Sequence, residues 1–479
     1  SWKVSPKLSF EIGVRYQYMQ PMYTQANNMA NFVPSLYNPA QAVTVTSGGL
    51  IVPGSGNLYN GLITEGNGVP TDQQGRVPGS TTNPLFKQIP TGAPRGLYDT
   101  ASLFGPRFGF AYSPDQKTVF RGGFGIFYDR PEGNLTFSQV NLPPFLQTVQ
   151  YDNGNLSNIA GGALGNALIT GVSAIDPNLK YTTTYQYSFS IERDLPSSMF
   201  MRTSYVGTLA RHLLREPNIN YADLSLVAAN PSSSINAFVP YKGYATLQQY
   251  KSDSTSNYNA LQVYVSKRAG AAVFTGGYTW SKLLGDSSGQ GDNIEDWQNR
   301  HFNYGPLTFD RRHAFTGTFV WQLAAFRNQK AVVRGALGGW QFSGVMRVQT
   351  GAPVSITGNT PTGTRRADYV PGQSVLVDNK GPNQWINKSA FAIAPTGAYG
   401  TSGSGNVIGP NLQSYDFSLA KHFVFRERFD LKLQGDFFNL FNITNFFNLN
   451  NLQVGTASFG TISSAYPPRN VQLSLKLTF

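Results

Sequence analysis

The residues able to do chemistry are few. His212, His301, His313 and His422 are the only histidines. None forms an HExxH motif or an i, i+4 pair, so the spacing predicts no His-ligated metal centre. The chain has no Cys, which excludes disulfides, Cys-ligated zinc or iron-sulfur clusters and thiol catalysis. The stretch Asp286-Ser287-Ser288-Gly289-Gln290-Gly291-Asp292-Asn293-Ile294-Glu295-Asp296 gathers carboxylates that could hold calcium. It lacks EF-hand spacing, and a solvated acidic loop is its ordinary explanation. Gly122-Gly123-Phe124-Gly125 resembles a phosphate loop only superficially, because no helix and no Lys-Ser/Thr follows it. Its glycines read instead as relief from crowding inside a strand. Asp310-Arg311-Arg312 and Arg365-Arg366-Ala367-Asp368 read as hydrated loop ion pairs of small energetic value. No enzyme activity and no cofactor is expected.

With catalysis set aside, the question becomes what the elements are. Of 479 residues, 13% are charged, 40% hydrophobic and 13% aromatic. The charge is about half of the roughly 25% usual for a soluble domain, so a surface wet all round is not expected. The apolar content is too high for a disordered chain. No run approaches the roughly 20 apolar residues of a membrane-spanning helix. The net charge of +12 is scattered singly and leaves no clustered basic footprint, so no nucleic-acid partner is expected. No export signal is recognisable at Ser1-Trp2-Lys3-Val4-Ser5-Pro6.

Periodicity then sets the class. From Leu8 to Tyr18 the even positions read Leu, Phe, Ile, Val, Tyr, Tyr and the odd ones Ser, Glu, Gly, Arg, Gln. At the other end Val471, Leu473, Leu475, Leu477 and Phe479 alternate with Gln472, Ser474, Lys476 and Thr478. The same period of two recurs in Tyr181 to Ile191, Leu261 to Val265, Phe274 to Trp280, His313 to Leu323, Trp340 to Val348, Tyr415 to Leu419 and Phe429 to Phe437. Noisier copies lie at Phe108 to Tyr112, Phe120 to Tyr128 and Met199 to Gly207. About twelve strands result, most near the 9 to 11 residues that cross a bilayer when tilted.

The connections alternate in length as well. Short polar turns lie at Ser113 to Thr118, Arg193 to Ser198, Arg268 to Ala271 and Val424 to Arg428, with a longer one near Ala324 to Ala336. Between them run Gly/Pro/Asn/Ser-rich stretches at Gln20 to Gly105, Arg130 to Lys180, Leu209 to Asn257, Leu283 to Arg311, Gly351 to Asn411 and Asn442 to Pro468. A single half-buried strand of a soluble sheet shows the same alternation of side chains. Sorting connections by length onto alternate ends is the pattern of an outer-membrane barrel, with turns toward the periplasm and loops outside. The expected fold is therefore all-β, an antiparallel transmembrane barrel in the outer membrane, with lipid as its first partner. Tyr16, Tyr18, Tyr128, Tyr181, Trp280, Trp321, Trp340 and Tyr415 are candidate girdle residues on its outer face.

Several stretches resemble the C-terminal barrel portion of Oar-like TonB-dependent receptors, a family of outer-membrane transporters. They are Pro106-Arg107-Phe108-Gly109-Phe110-Ala111-Tyr112, Arg121-Gly122-Gly123-Phe124-Gly125-Ile126-Phe127-Tyr128, Ser204-Tyr205-Val206-Gly207, Asn257-Tyr258-Asn259-Ala260-Leu261-Gln262, Tyr278-Thr279-Trp280-Ser281-Lys282, Phe309-Asp310-Arg311-Arg312-His313-Ala314-Phe315 and Phe437-Phe438-Asn439-Leu440-Phe441-Asn442. The resemblance implies ligand uptake across the outer membrane, powered by the TonB complex acting on an N-terminal plug, within a 22-stranded barrel with a plugged lumen. No plug-like segment and no TonB box is found in residues 1–479. The expectation is that this stretch is the C-terminal portion of the barrel domain, without the plug and first strands. Resemblance to other outer-membrane barrels makes Phe479 the signal read by the barrel-assembly machinery.

The polar face should line the lumen with Glu11, Arg15, Arg121, Glu192, Arg202, Arg347, Asp416, Asp430, Lys432, Asp436 and Lys476. Such a face solvates a pore and packs a plug, and its mildly basic balance would favour an anionic cargo. Leu8, Phe10, Ile12, Leu473, Leu475 and Leu477 should face lipid. The transported ligand is not legible. Two other readings stay open: a passive porin of about twelve strands, and a surface adhesion or assembly protein using its long loops. The fragment and porin readings differ in whether Leu8 to Tyr18 and Val471 to Phe479 share a regular hydrogen-bond ladder. Only the porin requires one.

Overall fold

A computed structural model describes residues 1–146, 151–152, 155, 157–158, 163–164, 171–292, 294–323, 330–425, 429–447, 449 and 451–479. One antiparallel sheet dominates it, with thirteen strands following one another in chain order. They are β1 (Trp2–Ser5), β2 (Leu8–Met19), β3 (Ala101–Tyr112), β4 (Thr118–Asp129), β5 (Thr182–Leu195), β6 (Met199–Arg215), β7 (Leu247–Lys267), β8 (Ala272–Gly285), β9 (His313–Gln322), β10 (Trp340–Gln349), β11 (Leu412–Phe425), β12 (Phe429–Phe438) and β13 (Asn470–Thr478). Each hydrogen-bonds to its sequence neighbours, so the connections fall alternately at the two ends of the wall. Every short connection lies at one end and every long one at the other. The turn at Val424 to Arg428 and the connection near Ala324 to Ala336 each lie partly outside the described residues.

Register carries one face across the wall. Phe10 opposes Phe110, Phe108 opposes Phe124, Phe124 opposes Tyr187, and Phe189 opposes Tyr205. The series continues through Leu261 with Trp280, Phe319 with Phe274, Phe342 with Leu419, and Leu433 with Leu475. A one-residue slip at any ladder would turn the next strand's apolar set inward. This face is left open among the described residues: Ile12 is 69% exposed and Leu475 67%. Leu8, Phe10, Ile12, Leu473, Leu475 and Leu477 all belong to it. Gly122 lies on it where a Cβ would fall 2.3 Å from the Phe110 ring, which is the crowding the glycine relieves.

Two expectations about the wall need correction. Met199–Arg215 and Leu247–Lys267 run well past the alternating segments, so much of Leu209 to Asn257 is strand rather than loop. Gln248, Gln249, Lys251, Ser252, Asp253 and Ser254 carry no apolar alternation there, where β7 pairs with the loop segment Val172 to Ile175 and with the irregular end of β6. Tyr181 is not a lipid-facing girdle residue. It is 4% exposed, packs on Tyr98 and donates its hydroxyl to the Met19 carbonyl at 2.8 Å. The other candidates do sort to the rims. Tyr16, Tyr18, Tyr128, Trp280 and Tyr415 lie toward the loop end, and Trp321 and Trp340 toward the turn end.

The long connections are folded bodies. Among the described residues four apolar clusters form at the loop end, seated on Met29, Phe32, Tyr244, Ile356, Phe391 and Val227 among others. They are tied by long-range bonds. Asn31 donates Nδ2 to the Ile175 carbonyl at 2.8 Å and accepts from the Ile175 N–H at 2.7 Å. The Tyr244 hydroxyl donates to the Asn60 carbonyl at 2.9 Å. Among the described residues no ladder joins β2 to β13. The short β1 pairs only Trp2 to Ser5 against the turn end of β2.

Candidate functional site: the inner wall and the loop cap

The face opposite the apolar one carries the charges. Cross-strand pairing puts Glu11 and Arg15 opposite Gly109 and Gly105, and Arg121 opposite Ser190. Glu192 opposes Arg202, Arg347 opposes Ser414, Asp436 opposes Gln472, and Lys432 opposes Lys476. All eleven residues expected to line the lumen share this face. They form local groups rather than one site. Arg121 Nε lies 3.2 Å from Glu192 Oε2, and Arg202 lies 5.7 Å over the Tyr264 ring. Arg347 donates to Gln349 at 3.3 Å. Asp416 accepts the Asn439 N–H at 2.9 Å, and Asp436 accepts from Gln434 at 2.7 Å. Lys432 and Lys476 face each other with like charge on the last ladder. Glu11 and Arg15 stand at the other end of the strand order, apart from them. Phe479 follows β13 at the turn end and is 83% exposed.

The cap contains what sequence periodicity missed. Arg365 and Arg366 are not hydrated: they are 1% and 6% exposed. They come from the loop between β10 and β11 and interlock it with two others. The Arg365 guanidinium lies 4.6 Å from the Tyr221 ring and 5.4 Å from the Tyr399 ring. Tyr399 packs on Phe302 at 5.1 Å, and Phe302 lies 4.0 Å beneath the Arg366 guanidinium. Glu295 closes the far side, its Oε1 3.5 Å from Arg366 Nε and accepting the Arg366 backbone N–H. Tyr221 donates to the Ile294 carbonyl at 3.1 Å, which returns the chain of contacts to the neighbour of Glu295. Cation, ring, ring and cation thus stack in one buried knot across three loops. Burial pushes the Glu295 carboxyl above its ordinary range against the bonds to Arg366, and pushes Arg366 down.

The acidic loop is accounted for in the same way. Asp286 accepts from Ser254 at 2.5 Å and from the Thr255 N–H at 2.7 Å, and lies 3.6 Å from Arg300. Asp296 accepts the N–H groups of Gln298 and Asn299. Asp292 accepts from the Ser288 N–H. Asn293 lies outside the described residues. Among the described residues no group of three or more His, Asp or Glu is placed to hold a metal ion. The His side chains sit in separate elements: His313 pairs with the Tyr278 hydroxyl at 2.7 Å, and His422 with Asp430 at 2.8 Å. Asp310 also departs from the hydrated reading, since it is buried and accepts the Leu283 N–H at 2.8 Å.

Beside the knot the cap lines a half-open cavity of about 660 Å³. Arg365, Tyr221, Asn236, Gln248, Glu216 and Asp292 are part of its wall. Arg365 Nε donates to Thr362 Oγ1 at 3.3 Å while its Nη1 has no protein partner. Burial raises the Glu216 carboxyl, against hydrogen bonds from Tyr250 and Ser173. The arrangement offers a polar, cation-bearing chamber.

An apolar outer face, a charged inner face and connections sorted by length define an outer-membrane barrel wall with a folded cap. Residues 1–472 match the outer membrane beta-barrel domain, and the chain belongs to that family. It is a protein of the outer membrane. Among solved structures it is similar to the outer membrane transporter YddB from Escherichia coli, at 10% identity and a TM-score of 0.46, over 79% of this chain and 41% of that one. It is similar to the ferric-catecholate import receptor Fiu from E. coli K12, at 11% identity and a TM-score of 0.42, over 99% and 43%. The ferripyoverdine receptor of Pseudomonas aeruginosa, bound to ferripyoverdine, matches at 12% identity and a TM-score of 0.39, over 80% and 34%. The chain spans less than half the length of each. No curated protein matches it.

Proposed function

We propose that this chain is the C-terminal portion of the barrel of an Oar-like TonB-dependent receptor that takes up a ligand across the outer membrane. The observation that carries the reading is the pair of open edges. The edge of β2 turned away from β3, from Glu11 to Met19, and the edge of β13 turned away from β12 have no ladder partner among the described residues. In hydrocarbon each unpaired backbone group costs several kcal/mol, so further strands have to complete the ring. The ordered resemblance from Pro106 to Asn442 supports the receptor family. On this reading Glu11, Arg15, Arg121, Arg202, Arg347, Lys432, Asp436 and Lys476 line the lumen around a plug. The cap cavity beside Arg365 admits the ligand from outside. Phe479 is the residue read by the assembly machinery, the TonB complex supplies energy through the plug, and no step is enzymatic.

The test is conductance in planar bilayers, using protein extracted from outer membranes. A plugged receptor leaves the bilayer nearly silent until denaturant loosens the plug, and this is the expected result. A steady open channel from untreated protein would replace the receptor with a passive porin.

A further inference from the structure

A second cavity, of about 480 Å³, opens on the outer face of the wall at its loop end. Lys180, Arg211, Lys251 and Arg300 line it, with Asp176 and Asp253 as its carboxylates. The acids are already engaged. Asp176 Oδ2 lies 2.8 Å from Lys251 Nζ, and Asp253 takes the buried Arg215 through both oxygens, at 2.5 and 2.8 Å. Arg211 donates to neutral acceptors: the Ala210 carbonyl at 2.8 Å, the Ser256 carbonyl at 3.3 Å and Asn257 Oδ1 at 3.1 Å. Neither Lys180 nor Arg211 has a carboxylate at ion-pair distance among the described residues. The pocket therefore keeps positive charge to spare.

The backbone is shaped to present it. The β6–β7 ladder slips between Ala210 and Leu213, and His212 in the slip has a φ of +57°, the left-handed region. Thr182 Oγ1 donates to the His212 carbonyl at 3.0 Å, and His212 Nδ1 meets the Ser252 carbonyl at 3.3 Å. Such a bulge re-aims a neighbouring side chain and costs strain that surrounding contacts must offset. Here it sits directly beside Arg211.

Height places the pocket relative to the membrane. Arg211 opposes Thr183, one outward-facing position above Tyr185. From Leu195 at the turn end up to Tyr185, about 3.3 Å per residue at a tilt of about 40° climbs about 25 Å, the height of the apolar band. Arg211 thus stands where lipid headgroups of the outer leaflet begin, on the lipid-facing register, and Lys180 lines the same pocket.

We propose that this pocket binds the phosphorylated headgroup of an outer-leaflet glycolipid, with Arg211 and Lys180 on the phosphate. The site is independent of any coupling to TonB. The experiment is a titration of detergent-extracted protein with a diphosphorylated glycolipid, read by native mass spectrometry. One glycolipid is retained per chain, and the same glycolipid stripped of phosphate is not. Lys180→Gln and Arg211→Gln each weaken retention about fivefold. Lys380→Gln, in the loop between β10 and β11, leaves it unchanged. Lys180 is exposed and precedes β5, so Lys180→Gln decides the matter if Arg211→Gln fails to fold. Equal retention of the dephosphorylated lipid, or wild-type retention by Lys180→Gln, overturns the proposal. Displacement by equimolar inorganic phosphate overturns the lipid assignment and leaves a free-oxyanion site.

Discussion

The wall and the cap use the same apolar residues to opposite ends. In the wall, Ile12 and Leu475 remain largely exposed, and the strands are held by continuous backbone ladders. In the cap, Phe32, Tyr244 and Ile356 are fully buried against residues brought from other loops. The solvent explains the difference. Lipid accepts an apolar side chain but not an unpaired peptide group, whereas water forces apolar groups together and tolerates a free peptide. The wall is therefore specified by its backbone pairing and the cap by its side chains. Perturbations should separate the two.

The largest effect is expected from Arg366→Ala, which strands the buried Glu295 carboxyl. Removing one partner of a buried pair costs about 3–5 kcal/mol. The cap loops should become protease-sensitive while the wall keeps the heat-modifiable gel mobility of a folded barrel. Joint loss of both would mean that cap and wall unfold as one unit. Next is Ile12→Arg, on the lipid face of β2, at about 2–4 kcal/mol near the midplane. Urea titration of barrel unfolding should show this loss, and Glu11→Gln on the opposite face should show almost none. Equal effects at positions 11 and 12 would mean that the register is wrong.

Acidity should act on the cap in particular. Burial raises the carboxyl pKa of Glu65, Glu216 and Glu295 above the usual 4.5. A carboxyl raised in the folded state contributes stability that is fully present below its unfolded pKa and is lost as pH rises through the folded value. Protease resistance of the cap should therefore decline as pH climbs above about 4.5, and Glu295→Gln, which imitates the protonated acid, should flatten part of the decline. Resistance that rises over that window would show that these carboxylates are stabilised as anions. The smallest effects belong to the inner wall. Arg121→Gln removes an exposed ion pair with Glu192 and should cost less than about 1 kcal/mol. Lys476→Gln relieves the like-charge contact with Lys432 and should stabilise by a similarly small amount in the same urea titration.

What could be read in advance follows the same division. Strand identity, lipid-facing and inner faces and the alternation of turns with loops were visible in the one-dimensional pattern, because a strand's two faces alternate every second residue wherever it goes. Leu8 to Tyr18 and Val471 to Phe479 show their faces without reference to any partner. The cap has no period to read. Asn31 finds Ile175, Tyr244 finds Asn60, and Arg366 finds Glu295 and Phe302 across stretches that carry no sign of one another. A local reading therefore took the Arg365-Arg366 pair for hydrated surface charge and Tyr181 for a lipid-facing ring. Composition and periodicity by themselves determined the membrane wall, since bilayer and peptide chemistry leave one sheet solution. Only the tertiary structure decided the buried knot, the cavity beside it and the cationic pocket at Arg211, because those depend on which distant side chains meet.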